Sequence, residues 1–147
     1  MNAAPGTVSM TGDASSGSPY AAVCAWKRHW PDYLKEAAGL MIFMLGAGAF
    51  TTLFEHPGSP VRMAISSDLA RHVALGCVMG LVTAGIIYSP WGQRSGAHIN
   101  PAVTWSFYRL GKIDGWDATF YTVFQFLGGM LAPVLLLWGI GEPFAHE

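Results

Sequence analysis

Charge is scarce in this 147-residue chain. Asp, Glu, Lys and Arg make up 12% of it, while 52% is hydrophobic; a typical globular chain is about 25% charged. Eight Lys and Arg stand against nine Asp and Glu, a net charge of -1. A basic surplus for gripping nucleic acid is therefore missing, as is an acidic surplus that would keep the chain disordered. No nucleic-acid partner is expected. Cysteine is scarcer still. Cys24 and Cys77 lie far apart with no second pair, so neither a disulfide scaffold nor a zinc cluster is indicated. His98 has no second His or Cys at ligand spacing, and His29, His56, His72 and His146 are scattered near helix ends. No nucleophile–base pair and no phosphate loop appears. The expectation is a protein that is not an enzyme and carries no metal or cofactor.

What is present is uncharged length. Between Glu36 and Glu55 lie 18 uncharged residues, between Arg71 and Arg94 lie 22, and between Asp117 and Glu142 lie 24. A bilayer core about 30 Å thick needs roughly 20 apolar residues at about 1.5 Å rise each. Three transmembrane helices are predicted, near 36–54, 72–89 and 118–140. The alternative for such stretches is the buried helical core of a soluble protein. Aromatic residues flank the spans where a ring with one wet edge prefers to sit: Trp26, Trp30 and Tyr33, then Tyr88 and Trp91, then Trp116, Tyr121 and Trp138. Lys27, Arg28, Lys35, Arg94, Arg109 and Lys112 fall on one side of the predicted spans. Only Arg62 and Arg71 fall on the other. The cation-rich side is expected to be cytoplasmic. That makes a multi-pass protein of the cell membrane, with its amino terminus inside and its carboxy terminus outside.

Residues 1–25 are rich in Ala, Ser, Gly, Thr and Pro and hold no Lys or Arg. They are expected to form a disordered cytoplasmic tail, without the charged start and apolar core of a signal peptide. Residues 142–147 are expected to be a short, truncated extracytoplasmic tail, leaving 26–141 as the folded unit.

The connection between the second and third spans is the informative part. Ser95 to Tyr108 is 14 residues without a charge, too apolar for a solvated loop and too short to span. Such a run reads as a re-entrant segment. Asn100 is a favoured N-cap residue and Pro101 is favoured at the first helical position, so a half-helix is predicted from there to Arg109. Irregular backbone at membrane depth is tolerated where it lines a cavity, and the start of the half-helix would point to the midplane. An amphipathic connector lying on the membrane surface, with Asn-Pro as a plain turn, remains the other placement. Gly76 and Gly80 form a small-xxx-small pair that either packs helices closely or reflects the ordinary glycine content of membrane helices.

Ser95-Gly96-Ala97-His98-Ile99-Asn100-Pro101-Ala102-Val103-Thr104 resembles the first NPA segment of the aquaporin, or major intrinsic protein, family, whose pattern is SGAH-x-NPAVT. Glu36-Ala37-Ala38-Gly39 is similar to the start of that family's first helix. Gln125 with Gly128-Gly129 is similar to part of its third. The resemblance covers about residues 33–140. It implies an all-α membrane protein with three transmembrane helices and one re-entrant half-helix (95–109), one inverted repeat of the aquaporin fold.

The same resemblance implies roles. Asn100 matches an asparagine whose N–H groups bind a passing oxygen, and Pro101 and Ala102 match the residues that interlock two half-helices. The carbonyls of Gly96, Ala97, His98 and Ile99 match a ladder of acceptors along the pore. Glu36 matches a buried acid that steadies the loop; read from its residue type alone, it is equally a snorkelling interfacial acid. Met79 matches a selectivity position if one residue is inserted between Gly80 and Ser95; otherwise it is a helix-packing residue. The implied function is passive passage of water or small neutral solutes such as glycerol. The family is tetrameric, so a homo-oligomer is implied once a second repeat completes the fold. Asn-Pro occurs once in the chain, so the expectation is an amino-terminal half that does not conduct alone. The rival expectation is a non-conducting membrane subunit that only associates with partner helices.

Overall fold

The computed structural model describes residues 18–141. Six helices follow one another: α1 (Pro19–Glu55), α2 (Pro60–Ala64), α3 (Asp68–Tyr88), α4 (Pro90–Ser95), α5 (Pro101–Arg109) and α6 (Gly115–Gly139). No strand occurs among the described residues. α1, α3 and α6 are each long and apolar enough to cross a membrane. Their outward faces carry Leu81, Met130 and Trp138, which are 68–90% exposed. Such apolar surface is stable against lipid and costly against water.

Four of the six helices start the same way. Ser18-Pro19, Ser59-Pro60, Ser89-Pro90 and Asn100-Pro101 each place an N-cap side chain before a proline at the first position, and each cap accepts a backbone N–H two or three residues on. The cap satisfies one orphan donor and proline removes another. This rule moves one predicted boundary. Residues 19–25, expected in the disordered tail, are the first two turns of α1; Ala-rich sequence behind a capping serine is good helix former, not linker. The rest of that tail, residues 1–17, and the expected tail at 142–147 lie outside the described residues.

α1 and α6 form the central pair, side by side and in the same direction. His29 meets Asp117 at one end. Further along, a Cβ on Gly128 would collide with the Ala37 carbonyl, and Gly129 faces Leu40. Only glycine lets two backbones approach so closely. Tyr33, fully buried, fills the seam with Tyr121, Phe120 and Phe124. α3 runs antiparallel to α1, touching it at Gly46 and Val82. Nothing lies within 4 Å of where a Cβ would sit on Gly76 or Gly80. Among the described residues, that small-xxx-small pair packs against no helix.

Candidate functional site

The segment between α4 and α5 is built by separating the two kinds of backbone polar group. Every N–H from Gly96 to Ile99 has an internal acceptor. Gly96 N–H donates to the Gly92 carbonyl at 3.0 Å, and Ala97 N–H to Ser95 Oγ at 3.3 Å. His98 N–H donates to Glu36 Oε1 at 3.1 Å and Ile99 N–H to Glu36 Oε2 at 2.6 Å. The carbonyls of the same four residues accept from no N–H or O–H among the described residues. A buried backbone group without a partner costs about 1–3 kcal/mol. Four free carbonyls in a row therefore persist only where something else will donate to them.

The geometry needs unusual dihedrals. Gly96 has φ 93°, Ala97 φ 46° and Ile99 φ 41°. Glycine adopts such values freely, alanine at some cost, and β-branched isoleucine rarely. The surroundings hold Ile99 there. Glu36 captures its N–H, and its side chain lies against Gly39 of α1, where a Cβ would leave no room for it.

Glu36 is itself completely buried. Besides the two loop N–H groups, it accepts from Gln125 Nε2 at 2.9 Å. Gln125 Nε2 also donates to Thr104 Oγ1 at 3.0 Å, and Thr104 Oγ1 lies 3.2 Å from His98 Nδ1. Thr104 and Gln125 have no exposed surface. Tyr121 adds a latch, its hydroxyl donating to the Ser95 carbonyl at 2.7 Å. One carboxylate thus ties α1, the loop, α5 and α6 together. A buried charge is tolerable only with this density of hydrogen bonds.

The half-helix α5 starts from this platform. Asn100 caps it, Oδ1 accepting from Ala102 N–H at 2.8 Å, with Pro101 at the first position. The side-chain Nδ2 of Asn100 donates to nothing among the described residues, and Asn100 is exposed. Because Ile99 sits against Gly39 and Thr104 against Gln125, the start of α5 lies at the level of the uncharged stretches of α1 and α6. It does not lie across their ends. Beside it is a cavity of about 310 Å³ lined by Phe43, Thr83, Ile87, Ala97, His98, Ile99, Asn100 and Val103.

Of the residues singled out from sequence, Glu36, Ala97, His98, Ile99, Asn100, Pro101 and Ala102 come together here, with Gly96 at the loop's start. Met79 does not line the cavity. It is half-exposed on α3, one turn before Thr83, whose hydroxyl donates to the Met79 carbonyl. Phe43, Thr83 and Ile87 were not foreseen as lining residues, because nothing local marks which face of a uniformly apolar helix turns inward. No group of three or more His, Cys, Asp or Glu that could hold a metal occurs among the described residues.

The profile of the family described as major intrinsic protein matches residues 24–143. The chain belongs to that family. The archaeal aquaporin AqpM of Methanothermobacter thermautotrophicus is 33% identical over 103 residues, which is 67% of this chain and 42% of that protein. The probable aquaporin AqpM of Archaeoglobus fulgidus is 43% identical over 111 residues, 72% of this chain and 45% of that protein. Aquaporin Z of Photorhabdus laumondii is 33% identical over 90 residues, 60% of this chain and 38% of that protein. The chain thus spans less than half the length of these relatives. No solved structure gives a significant match. As a member of the family with three helices of spanning length, the chain is an all-α membrane protein.

Proposed function

We propose that this chain supplies one half of the wall of a passive channel for water or small neutral solutes such as glycerol. The observation that carries the reading is the one-sided loop: four successive carbonyls without donors, next to an unpaired asparagine amide, at the start of a half-helix beside a 310 Å³ cavity. A neutral molecule leaving water loses hydrogen bonds, and these groups return both kinds. The carbonyls of Gly96, Ala97, His98 and Ile99 accept, and Asn100 Nδ2 donates. Pro101 and Ala102 form the tip that an opposing half-helix would meet. Glu36 holds the ladder in place. Met79 is at most an indirect contributor to selectivity, acting through Thr83.

Cations are excluded by the same feature. The start of a helix carries roughly half a positive charge. At about 5 Å and an effective dielectric of about 20 it repels a unit cation by roughly 1.7 kcal/mol. One such end discriminates about 20-fold, and loss of the ion's hydration adds several kcal/mol.

In this reading the amino terminus of α1 is cytoplasmic and the carboxy end of α6 outside, supported by the bias of six Lys and Arg to two. A second repeat is needed to close the pore, and the completed unit assembles with copies of itself. Light-scattering measurements of osmotic shrinkage decide the reading. Vesicles holding this chain with a complementary second repeat should shrink several-fold faster than lipid alone. Vesicles holding the chain alone should match lipid. Rapid flux through the chain alone refutes the half-wall reading. No flux in either case leaves the non-conducting subunit as the function.

A further inference from the structure

The cavity beside α5 has two unlike walls. One is the loop, with the free carbonyls of Ala97, His98 and Ile99 and the unpaired amide of Asn100. The other is made of helix side chains: Phe43 from α1, Thr83 and Ile87 from α3, and Val103 from α5. Phe43, Ile87 and Val103 bring no polar side-chain atom to it. Thr83 is the exception, and among the described residues its hydroxyl ties no two helices together. A contact between α3 and α1 is made by its neighbour, where Val82 lies against Gly46. The Thr83 proton goes to the Met79 carbonyl of its own helix at 2.8 Å, and Oγ1 accepts from no N–H or O–H among the described residues. Back-bonding of this kind uses a hydroxyl's one proton and leaves its two lone pairs. Thr83 therefore meets the cavity as an acceptor. Thr119 makes the same kind of bond elsewhere: its hydroxyl donates to the Gly115 carbonyl at 2.8 Å on α6, and it lines no part of this cavity.

We infer that Thr83 is a specificity-determining residue, a second acceptor on the wall away from the carbonyl ladder, by which the site favours small polyols over solutes with a single hydroxyl group. The inference rests on the channel reading above and names the solute class of the same site. A monohydric alcohol gives its one proton to the loop and lays its carbons against Phe43 and Ile87. A polyol that does the same still carries further hydroxyl protons. Where the wall has displaced its water shell, the wall must accept them. With valine at 83 the loop would be the only acceptor. A site built to bond a particular hydroxyl discriminates against a solute lacking it, because the site's own polar group is then left unmet. Water needs the second acceptor less, since each molecule can pass its other proton to the next.

The test reads binding and flux separately. In micelles of the intact chain, the methyl groups of Ile87 report the cavity by NMR, and those of Ile42, exposed on α1, serve as reference. Glycerol should shift the Ile87 signal and leave Ile42 in place. Thr83→Val keeps the shape and removes the oxygen. It should weaken the apparent affinity for glycerol about fivefold, the worth of one ordinary hydrogen bond, and change that for propan-1-ol by less than about twofold. Thr83→Ser should restore the glycerol response. Thr119→Val, the same change away from the cavity, should match the wild type. An unmoved Ile87 signal in the wild type overturns the inference. So does an unchanged glycerol response in Thr83→Val, or an equal loss of glycerol and propan-1-ol, which would mean a change of shape. In vesicles holding the chain with a complementary second repeat, Thr83→Val should lower the ratio of glycerol to water permeability about fivefold. An unchanged ratio with water still passing overturns the role of Thr83 and leaves the channel reading standing. A Thr83-dependent shift without any flux keeps Thr83 as a polyol-binding residue and removes the channel reading.

Discussion

Two irregular segments of this molecule meet the same difficulty with opposite charges. The loop from Gly96 to Ile99 hands its N–H groups to a buried anion, Glu36, and keeps its carbonyls free. The connection between α1 and α3, residues 56–67, hands one of its carbonyls, that of Ile65, to a cation. Arg71, 3% exposed, donates to the Ile65 carbonyl at 2.9 Å, to Glu55 at 3.0 Å and to Asp68, while Arg62 donates to the Glu55 carbonyl. In the loop the carboxylate takes the N–H groups and leaves the carbonyls available; in the connection N–H groups and a carbonyl alike are bonded. An anion serves where the carbonyls are left without donors among the described residues. A cation serves where the segment has only to be tied down.

The comparison breaks most severely at Glu36. Glu36→Ala removes the acceptor of two buried backbone N–H groups and of Gln125 Nε2, so a loss of about 3–5 kcal/mol is expected. Chemical denaturation in detergent measures it, and protease cleavage between 95 and 100 should appear before global unfolding. Gly128→Ala comes next, at about 2–3 kcal/mol. A methyl group there meets the Ala37 carbonyl, and the central helix pair must separate; the same denaturation curve reads it. Arg71→Gln should cost about 1–2 kcal/mol, less than Glu36→Ala, because Asp68, at 79% side-chain exposure, rehydrates when its partner leaves. New cleavage should fall within 56–67 and leave 95–100 protected. Equal losses at Glu36 and Arg71 would show that the two segments are equivalent anchors. The smallest effect sharpens the picture. Ala97→Gly relieves a positive φ without removing a buried side chain, and the relief of about 1 kcal/mol outweighs the added chain entropy by a few tenths. A rise of one or two degrees in melting temperature is expected.

Much of this was legible in the sequence for one physical reason: lipid excludes charge. The three gaps between charged residues set the three spanning helices, and Asn100-Pro101 marked the start of α5 because a cap is a local event. The same local signal stood at Ser18-Pro19, Ser59-Pro60 and Ser89-Pro90. It was overlooked because composition at 19–25 read as linker, and α2 and α4 are too short to show a period. What could not be read was distance. The approach of His29 and Tyr33 to Asp117, and of Tyr121 to Ser95, joins residues 26 to 88 positions apart with nothing in either neighbourhood to announce it. Gly128 and Gly76 look alike in sequence, yet a Cβ on one would strike a backbone and a Cβ on the other would meet nothing among the described residues.

The loop is gripped from both directions along the chain. Its acid lies 62 residues upstream, while its tyrosine latch lies 26 residues downstream. A ribosome delivers these in order, so when residues 96–99 emerge, Glu36 is already outside but Tyr121 and Gln125 are still within the ribosome. The segment therefore cannot settle by itself during insertion. Its ordering waits for α6, so this short stretch settles only after a helix that follows it in the chain is in place.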